Sequence, residues 1–296
     1  MTDDFGALVD LAMQGEGNVA LRSVIEKELL HYDILFTLER GGFLNDLVFQ
    51  GGTSLRLCYG ASRYSEDLDF VGGIDFSSGQ LTDMADTLKD YLSRRYSLET
   101  TVKSPIDLRD GRESLGVKVD KWQISVITRP RRPDLPRQRI KIEIANLPAH
   151  APEIRGLQRN YDFLPDGYED ILIRVESKEE ILADKLIAFP VTLPTHPRHR
   201  DIWDMRWLRG QGTEVDLALV AAKVEDYGIG GYDTLLQSAA DRVGAIVMDV
   251  AFQNEMSRFL PRSVVERTLG KAGFDEVLAR DTRDLFLDVS ERMFPH

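Results

Sequence analysis

This chain of 296 residues offers little for disulfides, zinc or a membrane. Its single cysteine, Cys58, excludes an internal disulfide. Five scattered histidines with one cysteine make a zinc cluster an unfavoured expectation. No apolar run reaches the roughly eighteen residues that a membrane-spanning helix requires. Positive charge is also in deficit. Lys and Arg number 37 against 49 Asp and Glu, a net charge of −12. That balance argues against a general nucleic-acid coat protein but leaves room for a local basic groove. Residues Met1 to Phe5 are acidic and lack the basic and apolar regions of a signal peptide, so a cytoplasmic location is expected. What is present is an ordinary apolar fraction, 43%, over a length that suits one large domain or two modest ones.

Two adjacent stretches organise the chain. Val48 to Leu55 reads as a strand, a Gly51-Gly52 turn and a helix beginning near Thr53. Arg63 to Phe70 reads as a second strand carrying Asp67 and Asp69. Side chains in a strand alternate, so both aspartates point to one face while Leu68 and Phe70 point into the core. Two carboxylates on one face repel unless a cation lies between them, and a hard divalent ion such as Mg2+ prefers their oxygens. The helix N-terminus after Gly51 and Gly52 suits a phosphate. Gly52, Thr53 and Ser54 offer it backbone and hydroxyl donors.

The remaining pattern divides in two. Residues 5 to 40 read as helices, with Leu21, Val24, Ile25, Leu29 and Tyr32 at helical spacing and charges between them. A helix is expected over Leu81 to Tyr96, then strands at Ser97–Val102, Leu115–Val119, Trp122–Ile127 and Arg139–Ile144. In the last, Ile140, Ile142 and Ile144 face inward, and Glu143 lies outward with Arg139 and Lys141. Glu143 on its own reads as a solvated strand residue. The proline-rich basic run from Arg129 to Arg139 is either a solvated hairpin loop or an arm that contacts RNA phosphates. Residues 148 to 170 read as loop, with a lobe boundary near 172, hence lobes 1–172 and 173–296. Ser177 with Glu180 signals a helix start. Lys185 then falls on the apolar face of Ile181, Leu182, Leu186 and Phe189. A lysine there either snorkels to solvent or meets an anion. Asp201 and Asp204 share a helix face and read either as a cap with a surface acid or as functional acids. Leu217, Val220, Ala221 and Val224 form an apolar stripe, with further helices over Leu235–Phe252 and Val277–Phe294.

The ordered pair of Gly51-Gly52-Thr53 with Ser65-Glu66-Asp67-Leu68-Asp69 resembles the DNA polymerase β-like nucleotidyltransferase superfamily. More narrowly, the chain is similar to the AbiEii/AbiGii toxin family, which includes the MenT toxins. Ile181 to Lys185 and Arg200 to Asp204 resemble its later motifs, with Ile181 where the family has leucine. The resemblance implies an α+β fold, with a polymerase β-like lobe on a mixed or antiparallel sheet and a mainly helical C-terminal lobe. It implies metal binding by Asp67, Asp69 and Glu143, with Mg2+ or alternatively Mn2+. Nucleotide contacts fall to Gly51, Gly52, Thr53, Ser54, Ser65 and Lys185. Lys185 would meet phosphate, and Asp201 or Asp204 would orient it or the acceptor. The implied activity is transfer of a nucleoside monophosphate from an NTP to an acceptor, in MenT-type relatives the tRNA 3′ end. The implied partner is an antitoxin encoded nearby, and Ser65 is similar to a position that a kinase-type antitoxin phosphorylates. Alternatives are a small-molecule nucleotidyltransferase of the aminoglycoside type, a non-catalytic NTP-binding partner protein, and a metal-dependent nuclease.

Overall fold

A computed structural model describes the whole chain except residues 1–3, 15–18, 109–112, 115–116, 133 and 296. The expectations at Leu115, Gly116 and Pro133 lie outside the described residues. The chain divides into two compact units, Met1–Val175 and Glu176–His296.

In the first unit, helices α1 (Phe5–Met13) and α2 (Arg22–Arg40) precede β1 (Val48–Gln50), α3 (Gly51–Tyr59) and β2 (Leu68–Val71). Then come α4 (Met84–Tyr96), β3 (Thr100–Lys103), the short α5 (Pro105–Leu108) and β4 (Glu113–Ser114). Strands β5 (Val117–Val126), β6 (Gln138–Ala145), β7 (Pro152–Gly156) and β8 (Leu172–Glu176) complete the sheet. Its order is β3-β5-β6-β2-β1-β8-β7, with β4 paired to β5. The fold class is α+β, and the sheet is mixed. β2 runs parallel to β6, and β1 parallel to β8, while β1·β2, β3·β5 and β5·β6 are antiparallel.

Several local expectations shift. From Val117 the two strands expected at 115–119 and 122–127 run on as one, β5, whose residues Val119 to Val126 pair with β6. The stretch 148–170 contains the strand β7, whose exposed pattern has no apolar alternation to announce it. Helix α3 starts at Gly51 rather than near Thr53. The largest difference concerns α2. The acids between its apolar residues, Glu26, Glu28 and Asp33, are buried as deeply as those residues. Each charge meets a partner. Glu28 accepts from Arg56 Nε at 2.8 Å and Nη2 at 3.0 Å. Glu26 accepts from Thr128, Arg129 and Gln138. Asp33 receives the Tyr96 and Tyr168 hydroxyls and lies 2.8 Å from Arg95 Nη1. Buried charges persist when partners satisfy them, so a helix that reads as amphipathic is enclosed on nearly every side.

The second unit is helical: α6 (Lys178–Thr192), α7 (His199–Gly210), α8 (Leu217–Asp226), α9 (Tyr232–Val247), α10 (Val250–Ser257), α11 (Arg262–Arg267) and α12 (Phe274–Met293). Ser177 caps α6, accepting from Glu180 N at 3.2 Å. Among the described residues no helix is long and apolar enough to cross a membrane. Helix α8 departs from its expected stripe. Ala221 is exposed and Leu217 and Val224 are half-buried, while Lys223 is fully buried beside Val220. Lys223 Nζ lies 3.0 Å from Glu176, 2.9 Å from Glu180 and 3.2 Å from Asp184. These carboxylates draw the lysine inward and turn α8 about its axis relative to an apolar-only packing. Burial opposes the Lys223 charge, but Asp184, Glu176 and Glu180 outweigh it and hold the amine well above its ordinary range. Burial, then Asp184, pushes the Glu176 carboxyl upward.

Removing that cation strands buried carboxylates. Lys223→Met is expected to cost about 3–5 kcal/mol of unfolding free energy near neutral pH. The deficit should shrink in acid, where the orphaned carboxyls protonate. Urea unfolding of both proteins at neutral and acidic pH checks both parts; an equal midpoint at neutral pH would refute the role of the charge.

Candidate functional site

The parallel pairing of β2 with β6 sets Asp69 opposite Glu143, and the β1·β2 pairing sets Gln50 on its other side. Register partners share a face, so Gln50, Asp69 and Glu143 stand in one row. Lys121 of β5 continues it. Asp67 lies just before β2. Its Oδ1 accepts from the Lys141 backbone N–H at 3.0 Å, and Lys141 Nζ is 3.6 Å from its Oδ2. Asp67, Asp69 and Glu143 are each half-exposed, whereas Ile140, Ile142 and Ile144 on the other face of β6 are buried.

The two glycines are required for different reasons. Gly51 has φ +77°, where a side chain strains the backbone, and a Cβ there would stand 3.0 Å from Asp69 Oδ2. A Cβ on Gly52 would stand 2.2 Å from Arg63 Nη2. Arg63, whose position at the head of the second stretch carries no local signal of a role, is buried beneath this turn and donates to the Tyr64 carbonyl at 2.7 Å. The Thr53 and Ser54 hydroxyls are used internally. Thr53 donates to the Asp67 carbonyl, and Ser54 to the Gly51 carbonyl at 2.8 Å. Their hydroxyls therefore hold the turn and the Asp67 backbone, which leaves the N–H groups of the first helical turn as phosphate donors. Ser65 is only 8% exposed, and its Oγ is 3.3 Å from a Cβ built on Gly52. A kinase would need that segment to open first.

The carboxylates already have cations beside them. Lys121 Nζ is 3.0 Å from Glu143, and Lys141 approaches Asp67. Among the described residues no three His, Cys, Asp or Glu side chains converge closely enough to hold a metal ion. The donor set still fits a hard divalent cation: oxygen ligands on one open face, with amines that the cation's own charge would displace. Lys141 was legible as a neighbour of Glu143 from strand alternation. Lys121 was not, because the β5·β6 register is set by a long connection.

In the second unit Lys185, 7% exposed, donates to Asp201 Oδ1 at 2.7 Å and lies 3.2 Å from Asp204 Oδ2. The anion its apolar face demanded is thus a pair of buried aspartates. Neither caps α7, whose N-cap is Arg198. Burial alone would raise the Asp201 carboxyl, but Lys185 and then Arg198 outweigh it and hold it well below the usual carboxylate range.

The basic run is not a free arm. Arg129 is held by Glu26 at 2.6 Å, Arg132 by Asp134 at 2.7 Å and Arg137 by Glu99 at 3.1 Å. Arg139 belongs to β6 itself. The run pins the β5–β6 connection at its base and offers few unspent charges.

Beneath the acids, α2 supports the Glu66–Asp67 backbone. His31 Nε2 lies 3.0 Å from the Glu66 carbonyl, and Lys27 Nζ 2.7 Å from the Glu66 side chain. Burial holds the His31 pKa down to about 4 against the Glu66 bond that raises it. The folded state thus keeps His31 neutral where the unfolded chain takes a proton. Its contribution to stability is expected to be full above about pH 6.5 and to be lost as the pH falls toward about 4, by up to about 3 kcal/mol. His31→Gln should remove that part of the acid slope. Urea midpoints between pH 7 and 4 for the two proteins check it, and identical slopes would refute it.

A family model described as "Nucleotidyl transferase AbiEii toxin, Type IV TA system" matches residues 33–280. No curated protein gives a sequence match. Among solved structures, the nucleotidyltransferase toxin MenT4 from Mycobacterium tuberculosis H37Rv aligns at 17% identity with TM-score 0.58, covering 98% of this chain and 92% of its own. JHP933 from Helicobacter pylori aligns at 17% identity with TM-score 0.46, covering 91% and 94%. The MenT4 likeness is one of fold, and the family match spans the glycine turn, the acidic row and the Lys185 cluster. The chain belongs to the AbiEii family of nucleotidyltransferase toxins of type IV toxin–antitoxin systems.

Proposed function

We propose that this nucleotidyltransferase moves a nucleoside monophosphate from an NTP to an RNA hydroxyl, with the tRNA 3′ end as acceptor, and thereby stops translation and growth. The observation that carries the reading is the juxtaposition of Asp69 with Glu143 and Asp67 on one open sheet face beside the Gly51–Gly52 turn. Membership of a toxin–antitoxin family implies an antitoxin partner.

In this reading Asp67, Asp69 and Glu143 hold Mg2+, with Mn2+ an alternative. A bound divalent ion supplies positive charge that offsets the charge developing on the transferring and leaving oxygens. The first-turn N–H groups of α3 hold the phosphates in line. Glu143 shares the metal or helps to take the proton of the attacking hydroxyl. The acceptor oxygen bonds to the α-phosphorus as the bond to the bridging oxygen breaks, and pyrophosphate leaves with its electron pair. The reading assigns Lys185 to phosphate charge, and Asp201 or Asp204 to orienting Lys185 or the acceptor. Their buried pairing with Lys185, within the second unit, supports the orienting role.

Incubation with total tRNA, Mg2+ and each α-labelled NTP in turn should place label on RNA with at least one nucleotide. Asp69→Ala should slow that transfer about a thousandfold or more. Label on no RNA with any NTP overturns the RNA acceptor, and undiminished labelling by Asp69→Ala overturns the assignment of the acids.

A further inference from the structure

The acidic row continues into a basic field that the sequence scatters and the register assembles. Arg139 and Lys141 share the outward face of β6 with Glu143. Their β5 partners are Ser125 and Gln123, and Glu143 is partnered by Lys121. On β3, Lys103 pairs with Gln123 and Thr101 with Ser125. One face thus carries Lys103, Lys121, Lys141 and Arg139 in adjacent positions, with Gln123, Ser125 and Thr101 between them. Lys103 and Arg139 are exposed. Among the described residues neither is engaged in an ion pair. The Lys141 side chain is 44% exposed and that of Lys121 24%. The chain as a whole is strongly acidic, with a net charge of −12.

Direction matters as much as charge. In the order β3-β5-β6-β2-β1, the glycine turn follows β1 on one side of the acids, and the cations lie on β6, β5 and β3 on the other. If the donor nucleotide's phosphates sit at the turn, the acceptor must approach Glu143 from the β6 side, because in-line attack needs nucleophile and leaving group on opposite sides of the phosphorus. On that side cations and neutral hydrogen-bonding groups alternate, with Lys103, Thr101 and Arg139 exposed, Gln123 half-buried and Ser125 buried. A chain of phosphodiesters matches such an array, each phosphate meeting a cation and each sugar a polar side chain.

We propose that the outward face of β6, β5 and β3 is the track on which the single-stranded end of the RNA acceptor lies, with Arg139 and Lys103 as its outer phosphate contacts and Lys141 nearest the acids. This rests on the transferase reading above for its direction. It does not rest on that reading for the binding itself. The proline-rich basic run, whose arginines are mostly paired, is not the docking surface.

The test is fluorescence anisotropy of a short, labelled single-stranded RNA with the full-length protein. It is done without NTP or Mg2+ across a salt series. Lys103→Ala/Arg139→Ala should weaken binding about tenfold, and the slope of log K against log salt should fall by roughly one to one and a half. Lys103→Arg/Arg139→Lys should keep wild-type affinity and slope, which separates lost charge from lost fold. Arg131→Ala/Arg132→Ala should change little. Unchanged affinity in the Lys103/Arg139 double variant overturns the track. So does a loss confined to the Arg131/Arg132 variant, which would return docking to the loop. Because no nucleotide is transferred, a protein that binds RNA through this face yet labels none would refute the transfer reading and leave the track standing. A protein that labels another acceptor and ignores this RNA would do the reverse.

Discussion

Parallel pairing of β2 with β6 is the constraint on which the site depends. It brings Asp69 against Glu143 across a long stretch of chain and gives the Asp67 carboxylate the Lys141 backbone N–H. A slip of one residue would turn every outward side chain of β6 into the core. Ile140, Ile142 and Ile144, all buried, forbid that slip. The apolar residues therefore fix the positions of the acids, and the acids need contribute nothing to stability themselves. Their mutual repulsion is met by Lys121 and Lys141.

The second support is the row of buried titratable groups on α2. Glu26, Glu28, His31 and Asp33 are enclosed, and each ties the helix to a different part of the unit: the base of the β5–β6 connection, α3, the Glu66 backbone and α4. Such contacts yield little net stability but penalise any arrangement that leaves a partner behind. They hold the acid-bearing segment in one geometry. The same logic operates in the second unit, where Lys185 and Lys223 each satisfy clustered carboxylates. An array of this kind suits a site that must keep its carboxylates aligned while charge develops beside them.

The basic run and the sheet face show how local density of charge misleads. Arg129, Arg132 and Arg137 are close in sequence and are each matched by an acid. Lys103, Lys121, Lys141 and Arg139 are dispersed in sequence and converge on one face. Within that set Lys121 and Lys141 face the acids, and Arg139 and Lys103 are the exposed cations that a polyanion would meet first.

The sequence by itself determined the chemistry-bearing stretches. Gly51-Gly52, the Asp67/Asp69 alternation, the Ile140–Ile144 strand and the Ser177 cap were legible because each is local: a turn that tolerates positive φ, a period of two, a side chain within reach of the next turn. The family resemblance supplied the order of those stretches and the α+β class. Only the tertiary structure decided which charges are matched. Lys223 is buried off the stripe that reads as apolar, α2 buries acids that lie between its apolar residues, and Lys121 reaches Glu143 through a pairing no local rule fixes. Burial of a charge depends on a partner distant in the chain, and strand register over a long connection depends on how the whole sheet packs. Neither is encoded in a window of neighbouring residues.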